Sequence, residues 1–304
     1  MKYDVIIIGA GAAGLTAALY SVRSGMSVVV LSRDFGGLAA TADSIMNWPG
    51  KYEIKGMDLM NHMLEQVKKN NVDVKYANVT DIKKEEDDFI ITTDSEEYVS
   101  SKVIFCPGTK HRKLNVPGEE EFYGKGVSYC ATCDGPFFKE KVVAVIGGGN
   151  SALTAAILLS KSAKKVYIIY RQSQFFRAEK EWVDETISNP KIEAIHDEEI
   201  IEIKGDNFVD GVVLKNKGTI LDVDGVFIEI GSDPVTELVT DLVELKEGYI
   251  VVDETQETSL KGLFAAGDAT TGSNMFRQLI TSCSEGAIAA NSAHESTVKD
   301  NNKS

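Results

Sequence analysis

The sequence lacks several features that mark secreted, membrane-bound or nucleic-acid-binding proteins. Its 304 residues include only four cysteines, too few for a disulfide scaffold of the secreted kind. No apolar run reaches the ~20 residues that a membrane-spanning helix needs, and the chain begins with a strand pattern instead of a cleavable signal. Basic residues are scarce, because 32 Lys and Arg stand against 46 Asp and Glu and leave a net charge of −14. That balance disfavours nucleic acid and anionic membrane surfaces as partners. Because the sequence shows neither a spanning run nor a signal, we expect a cytoplasmic protein.

Clustered metal ligands are also missing from the sequence. The histidines are scattered singly, at positions 62, 111, 196 and 294, and two of the cysteines, Cys106 and Cys283, stand alone. A structural zinc site usually takes two close pairs of Cys or His ligands. We therefore predict no metal site.

The other two cysteines form a Cys-X-X-Cys pair, in the stretch Tyr129-Cys130-Ala131-Thr132-Cys133-Asp134-Gly135-Pro136. A thiolate attacks a disulfide through a mixed disulfide, which a second thiol then resolves, so this chemistry needs two neighbouring sulfurs. A helix beginning near Thr132 would lower a thiol pKa, and Asp134 would be placed to exchange a proton with a departing thiolate. We interpret Cys130, Cys133 and Asp134 as a catalytic redox group. The alternative is half of a zinc site, whose partner pair is absent.

A glycine-rich turn follows the first strand pattern. An apolar run over residues 4–8 leads into Gly9-Ala10-Gly11-Ala12-Ala13-Gly14, a helical pattern and a second strand over residues 27–31. Such glycines let the backbone approach a pyrophosphate at a helix N-terminus. We predict a dinucleotide site that uses Gly9, Gly11, Ala12 and Gly14. The second strand ends at Ser32-Arg33, where a ribose-binding acid is common, so the ribose contact is unassigned.

The same motif returns directly after the cysteine pair. A strand over residues 142–146 precedes Gly147-Gly148-Gly149-Asn150-Ser151-Ala152, and a helix and another strand follow. The chain of 304 residues is long enough for two domains, and its 43% of hydrophobic residues suffices for a buried core in each. We predict a second dinucleotide site at Gly147, Gly149, Asn150, Ser151 and Ala152. Arg171 and Arg177 follow its second strand, and arginines suit the 2′-phosphate of NADP; two plain surface arginines are the alternative.

Further candidate cofactor contacts lie outside the two turns. A loop over residues 35–50, rich in small residues, is expected to return over the first cofactor, and a strand near the C-terminus stops at a Gly-Asp pair before a long helix. An acid at this place suits a ribityl hydroxyl. The additional candidates are Gly37, Asn47, Gly108, Gly267, Asp268, Arg277 and Gln278.

Taken together, these motifs resemble those of the low-molecular-weight, bacterial-type thioredoxin reductases over essentially the whole chain. The resemblance rests on the two glycine turns and the cysteine pair, and on Asn47-Trp48-Pro49-Gly50, Phe176-Arg177-Ala178-Glu179-Lys180, Ala265-Ala266-Gly267-Asp268 and Arg277-Gln278. It implies an α/β fold of two Rossmann-like, three-layer ββα domains. A discontinuous FAD domain would span residues 1–113 and 245–304, with the NADPH domain inserted at 114–244.

The resemblance also implies the chemistry and the partners. Cys130 and Cys133 would shuttle between the flavin and a thioredoxin or thioredoxin-like protein, with Asp134 as proton donor. The enzyme would be a homodimer whose inserted domain rotates on linkers near residues 113–118 and 243–248.

The electron donor is the open point of the resemblance. The family pattern HRRxxxR is altered, because Tyr170 replaces the histidine, Gln172 replaces the second arginine and one extra residue precedes Arg177. We predict FAD and NADPH as cofactors, with NADH possible. The alternatives are a ferredoxin-linked or NADH-dependent flavin disulfide reductase, a flavin dithiol oxidase acting on a small molecule, and a non-catalytic flavoprotein redox sensor.

Overall fold

A computed structural model describes residues 2–42, 45, 47–176 and 178–301, without the side chains at positions 132, 133, 275 and 301. The helices are α1 Ala12–Arg23, α2 Gly37–Ala40, α3 Gly56–Lys69, α4 Ala131–Asp134, α5 Asn150–Ser160, α6 Lys180–Ser188 and α7 Leu279–Asn301, with 3-10 turns at Gly135–Phe138 and Ser273–Met275. The strands are β1 Lys2–Ile8, β2 Val28–Ser32, β3 Asp73–Tyr76, β4 Val79–Glu85, β5 Asp88–Thr93, β6 Glu97–Phe105, β7 Thr109–His111, β8 Val127–Ser128, β9 Val142–Ile146, β10 Lys165–Ile169, β11 Ile192–Ile195, β12 Ile200–Gly205, β13 Val209–Leu214, β14 Ile220–Asp222, β15 Gly225–Ile228, β16 Ser232–Pro234, β17 Leu245–Lys246, β18 Tyr249–Ile250 and β19 Leu263–Ala265.

The chain forms two compact units. The first contains the residues up to Lys110 and those from Asp233 onward, and the second is His111–Ser232. Each contains one glycine turn at the C-terminal end of a central parallel strand. The predicted α/β class with two Rossmann-like domains is thus confirmed.

The first unit is built on a sheet with strand order β3-β2-β1-β6-β5-β4, with β19 also paired to β6. Strands β1, β2, β3, β6 and β19 pair in parallel, whereas β4 and β5 add antiparallel pairs. One sheet face packs against α1, α3 and α7, and the other carries a second apolar cluster around Phe89 and Ile91. Helices α1 and α7 approach so closely at Gly286 that an added Cβ would lie 2.2 Å from the carbonyl oxygen of Ala13.

The second unit has a five-stranded sheet of order β11-β10-β9-β15-β8, in which all pairs are parallel. Helix α5 crosses one face of this sheet, packing through Leu153 and Leu159. The antiparallel strands β12, β13 and β14 pack against the other face. The strand order reverses beside β9, which puts the glycine turn at the usual ligand-binding point of such a sheet.

The two units differ from the expected domains chiefly at the second boundary, which was expected after residue 244 and lies after Ser232. Residues 233–244 pack with the first unit. Val239 is buried there with Ile250, and Leu238 and Leu242 pack against the same cluster. The expected linkers likewise lie inside the units. Residues 113–118 belong to the second unit, and β17 and β18 make residues 245–250 a hairpin of the first.

None of the described helices is long and apolar enough to cross a membrane. Within the same described part of the chain, no three His, Cys, Asp or Glu side chains cluster as metal ligands would.

Candidate functional site

The first glycine turn is shaped by two close backbone approaches. Gly9 has φ +107°, and a Cβ on it would lie 2.1 Å from the carbonyl oxygen of Cys106. A Cβ on Gly14 would lie 1.9 Å from the carbonyl oxygen of Gly9. Gly11 caps α1, and a Cβ there would meet nothing within 4 Å. The turn therefore leaves room above the N-terminus of α1, where backbone N–H groups favour an anion.

That space opens into a cavity of about 690 Å³ within the first unit. Six predicted cofactor residues line it: Gly9, Gly11, Ala12, Gly37, Gly108 and Asp268. Thr109 also lines the cavity, and its buried Oγ1 finds no hydrogen-bond partner among the described residues. An orphaned buried hydroxyl facing a dinucleotide-sized cavity fits a site that a polar cofactor completes.

Asp268 lines this cavity in a setting that favours its neutral form. Burial raises the pKa of its carboxyl, while the Ser282 hydroxyl, which donates to Asp268 Oδ1 at 2.9 Å, and the charge of Arg277 oppose that shift. The turn that contains Asp268 is held by Glu285, a buried acid of α7 that the sequence did not single out. Its Oε2 accepts bonds from the Gly267 N–H at 2.7 Å and the Thr270 hydroxyl at 3.0 Å.

The remaining candidates of the first unit pair with one another or with aromatic rings. Asn47 Nδ2 donates to Gln278 Oε1 at 3.1 Å, and the Arg277 guanidinium lies 3.9 Å from the ring centre of Tyr249. These three candidates, Gly14 and Gly267 are not among the residues lining the cavity.

At the unassigned ribose position, Ser32 Oγ accepts from the Ala10 N–H and donates to the carbonyl of Asp34. Arg33 and Asp34 line the cavity beside it.

The second glycine turn repeats the first. Gly147 has φ +139°, and a Cβ on it would lie 2.2 Å from the carbonyl oxygen of Glu229. Gly149 caps α5 in open space, and Ala152 is fully buried beneath the turn. The open cap fits a second phosphate-bearing ligand. Ser151 follows the cap and is exposed.

Asn150 holds the loop that follows β10. Its Nδ2 donates to Glu179 Oε1 at 2.8 Å, and its Oδ1 accepts from the Glu179 N–H at 2.7 Å. The side chain is thus engaged within the protein, where the sequence predicted a cofactor contact. Arg171 of the loop is exposed, and Arg177 lies outside the described residues.

Aromatic rings gather where the loop leaves β10. The Tyr170 ring packs on Gly148, so closely that a Cβ there would meet its atoms at 2.5 Å. Phe175 stacks on Tyr170 at 5.8 Å, and His196 meets Phe175 edge-on at 4.7 Å. Tyr170, which replaces the histidine of the family pattern, and Phe175 therefore form an aromatic wall beside Gly148, while Gln172 removes one positive charge from the loop.

Cys130 is disulfide-bonded and partly buried, immediately before the short helix α4. The Cys130 N–H donates to Ser128 Oγ at 3.0 Å, and the Asp134 N–H donates to the Cys130 carbonyl at 3.1 Å. The side chain of Cys133 lies outside the described residues. Helix α4 has only four residues, so the predicted dipole effect on a thiol has a weaker basis than a full helix would give.

Cys106 and Cys283 are free and buried. Burial raises the pKa of both thiols, which makes them poor nucleophiles. Among the four cysteines, these two belong to the packing of the first unit.

Comparison with known proteins agrees with these features. A family model described as pyridine nucleotide-disulphide oxidoreductase matches residues 3–289. A thioredoxin reductase of Treponema pallidum is 42% identical, over 96% of this chain and 96% of its own length. The crystal structure of Lactococcus lactis thioredoxin reductase, in its FR conformation, superposes with a TM-score of 0.89 at 38% identity, covering 98% of this chain and 99% of that one. Thioredoxin reductase of T. acidophilum gives 0.87 at 40% identity, with 98% and 99% covered.

The chain therefore belongs to the pyridine nucleotide-disulphide oxidoreductase family, and the predicted resemblance to low-molecular-weight thioredoxin reductases is confirmed. Membership implies a flavin and a pyridine nucleotide as cofactors.

Proposed function

We propose that this family member is a thioredoxin-disulfide reductase that takes electrons from NADPH, through FAD and the Cys130/Cys133 pair, to an oxidised thioredoxin-like protein. The observation that carries the proposal is the disulfide at Cys130, in a chain whose free cysteines are buried. FAD is assigned to the first glycine turn and its cavity, and NADPH to the second turn. The bound flavin supplies the two-electron step between the nicotinamide and the disulfide.

The protein's residues have separate tasks in this scheme. Gly11 and the N-terminus of α1 are assigned to the flavin pyrophosphate, and Asp268, which lines the same cavity, to a ribityl hydroxyl. Gly149 and α5 are assigned to the donor pyrophosphate, and Arg171 and Arg177 to its 2′-phosphate.

Once the pair is reduced, one thiolate attacks the partner's disulfide, forming one S–S bond and releasing a partner thiolate. The second thiolate then attacks the mixed disulfide, which restores the Cys130/Cys133 bond and releases the other partner thiolate. Two protons are taken up by the departing thiolates, and Asp134 is assigned to deliver one. The homodimer stays a prediction from the resemblance, and the cytoplasmic location stays a prediction from the sequence.

The proposal is tested by anaerobic addition of NADPH, followed by an oxidised thioredoxin. We expect the wild type to bleach its flavin absorbance with NADPH and to regain it with thioredoxin. Cys130→Ser and Cys133→Ser should bleach with NADPH and reduce no thioredoxin, because the thiols act after the flavin. If both variants lose their fold and the wild type contains zinc, the pair is structural and the proposal fails.

The test also separates the alternatives. A dithiol oxidase would pass electrons from a small dithiol to oxygen without needing NADPH, and a sensor would reduce neither partner. If reduced ferredoxin bleaches the flavin and NADPH does not, the electron donor is ferredoxin.

A further inference from the structure

A buried carboxylate lies near the redox cysteine in the second unit. Glu119 is only 2% exposed, and its two oxygens accept three hydrogen bonds. The Leu114 N–H donates to Oε1 at 2.8 Å, the Asn115 N–H donates to Oε2 at 2.6 Å, and the Tyr129 hydroxyl donates to Oε1 at 2.5 Å. A carboxylate is costly to bury unless hydrogen bonds replace its water, so these three donors together allow Glu119 to lie here.

The three donors come from two parts of the second unit. Leu114 and Asn115 belong to residues 111–115, with which the second unit begins. We term residues 111–115 the crossing segment. Asn115 has φ +58°, a conformation that an L-residue adopts at some cost. Tyr129 follows β8 and directly precedes Cys130. Glu119 thus joins the crossing segment to the side chain of Tyr129, the residue that directly precedes the redox cysteine.

A second contact joins the same two parts. The Tyr129 ring stacks on His111, the first residue of the crossing segment, with 5.5 Å between ring centres and 22° between planes. On another side it meets Tyr123 at 5.9 Å. Burial, and then the Glu119 carboxylate, raise the pKa of the Tyr129 phenol, so the hydroxyl keeps its proton and remains a donor at ordinary pH.

We propose that Glu119 is a positioning residue for the redox disulfide. Through its hydrogen bond to Tyr129, Glu119 holds Cys130 and the crossing segment together as one rigid body. This inference rests on the proposed function, because positioning matters only if the disulfide reacts. In a docked protein complex the attacking sulfur must lie in line with a partner S–S bond whose position is fixed, so freedom of the Cys130 backbone lowers the share of productive encounters. A small free thiol has no docked position and attacks whenever a sulfur of the disulfide is accessible.

The hydroxyl of Tyr129 can be removed without disturbing its ring. In Tyr129→Phe the stacking on His111 remains, and only the bond to Glu119 is lost. Tyr123→Phe is the matched control, since it also deletes one phenol of the same aromatic group, in a side chain that is 64% exposed. Both variants are to be studied as purified protein with flavin bound.

Three measurements are made on each variant. We expect kcat for thioredoxin reduction to fall about tenfold in Tyr129→Phe, with KM for thioredoxin and the rate of flavin reduction by NADPH unchanged. Amide hydrogen exchange at Leu114 and Asn115 should quicken about tenfold, because their common acceptor is no longer fixed. Dithiothreitol should reduce the Cys130 disulfide at least threefold faster, since a mobile disulfide presents its sulfurs more often. Tyr123→Phe should match the wild type in all three.

The outcomes separate positioning from a purely structural role. Faster amide exchange at Leu114 and Asn115, with unchanged kcat and an unchanged rate of reduction by dithiothreitol, would show that Glu119 only stabilises the crossing segment. That result would overturn the proposal. No change in any measurement would overturn it equally. If the wild type reduces no thioredoxin, the proposed function fails, and the dithiothreitol rates, which need neither NADPH nor thioredoxin, still decide whether Glu119 positions the disulfide.

Discussion

The two glycine turns of this chain share a backbone and differ in the side chains around it. In both, the first glycine has a positive φ and packs on the carbonyl of the residue that follows a neighbouring strand, Cys106 for Gly9 and Glu229 for Gly147. In both, the glycine that caps the next helix faces open space. The shared part is what a pyrophosphate requires of any such turn.

The differences begin one helical turn later. Gly14 lets α1 approach within contact of the Gly9 carbonyl, whereas the second turn accommodates the methyl group of Ala152. After the second strand, the first unit places Ser32, whose hydroxyl bonds to backbone groups, and the second unit places the Tyr170 ring on Gly148. If the two turns bind dinucleotides as proposed, the glycines provide what the two sites share, and the residues after the second strand are those that can distinguish the two ligands.

The strongest test of the shared part is the same substitution in both turns. Gly11→Ala and Gly149→Ala add a methyl group where no protein atom lies within 4 Å, so neither should disturb the fold. If pyrophosphates occupy these positions, lost contacts from N–H groups to phosphate should weaken binding roughly 100-fold at each site. We expect Gly11→Ala to be purified with little flavin, and Gly149→Ala to retain its flavin but resist reduction by NADPH.

Flavin content by absorbance and the rate of anaerobic bleaching measure the two effects. Circular dichroism of both variants should match the wild type, which controls for folding. If Gly149→Ala lost flavin and Gly11→Ala did not, the assignment of the cofactors to the two turns would be reversed.

The same comparison shows how far the sequence predicts the structure. The turns at Gly9 and Gly147 were predictable because strand, glycine turn and helix are adjacent in the chain, and their constraint is local. The bond of Glu285 to the Gly267 N–H and the bond of Glu119 to the Tyr129 hydroxyl were not, because the fold brings these groups together from 18 and 10 residues apart. Residues 233–244, which the sequence-based division assigns to the second domain, pack with the first unit for a similar reason, through the burial of Val239.

The two residues whose carbonyls face the first glycines carry side chains that predict a difference in pH dependence. Burial raises the pKa of the Glu229 carboxyl to about 8, from an ordinary value of 4.5. Between these pH values the folded state holds a proton that the unfolded state has released, so the free energy of unfolding falls as the pH rises through this range. Burial raises the pKa of the Cys106 thiol beyond the working range of the protein, so the first unit lacks this dependence at that position.

Glu229→Gln should therefore be more stable than the wild type at pH 9 and differ little from it at pH 4. A tenfold change in a protonation equilibrium corresponds to ~1.4 kcal/mol, so the gain in the free energy of unfolding at high pH should be on the order of a few kcal/mol. Differential scanning calorimetry of both proteins across this range measures it. A constant difference between them at every pH would show that packing, and not the proton, is responsible.

The smallest expected effect concerns the residues after the second strand, where the two turns differ most. Arg171 is exposed at the loop after β10 and is assigned to the 2′-phosphate that only NADPH carries. Loss of one charge-assisted hydrogen bond costs ~1.5–3 kcal/mol, so Arg171→Ala should raise KM for NADPH by about tenfold or more and leave KM for NADH unchanged. Arg177→Ala should act in the same direction.

Gln172→Arg restores the family's second arginine and should strengthen the preference for NADPH by a similar factor. The control is Lys164→Ala, which removes an exposed charge before β10 and should change neither the KM for NADPH nor the KM for NADH. These values follow from steady-state rates with each nucleotide at saturating thioredoxin. Equal use of NADPH and NADH by the wild type, unchanged in Gln172→Arg, would contradict the assignment of Arg171 and Arg177 to the 2′-phosphate.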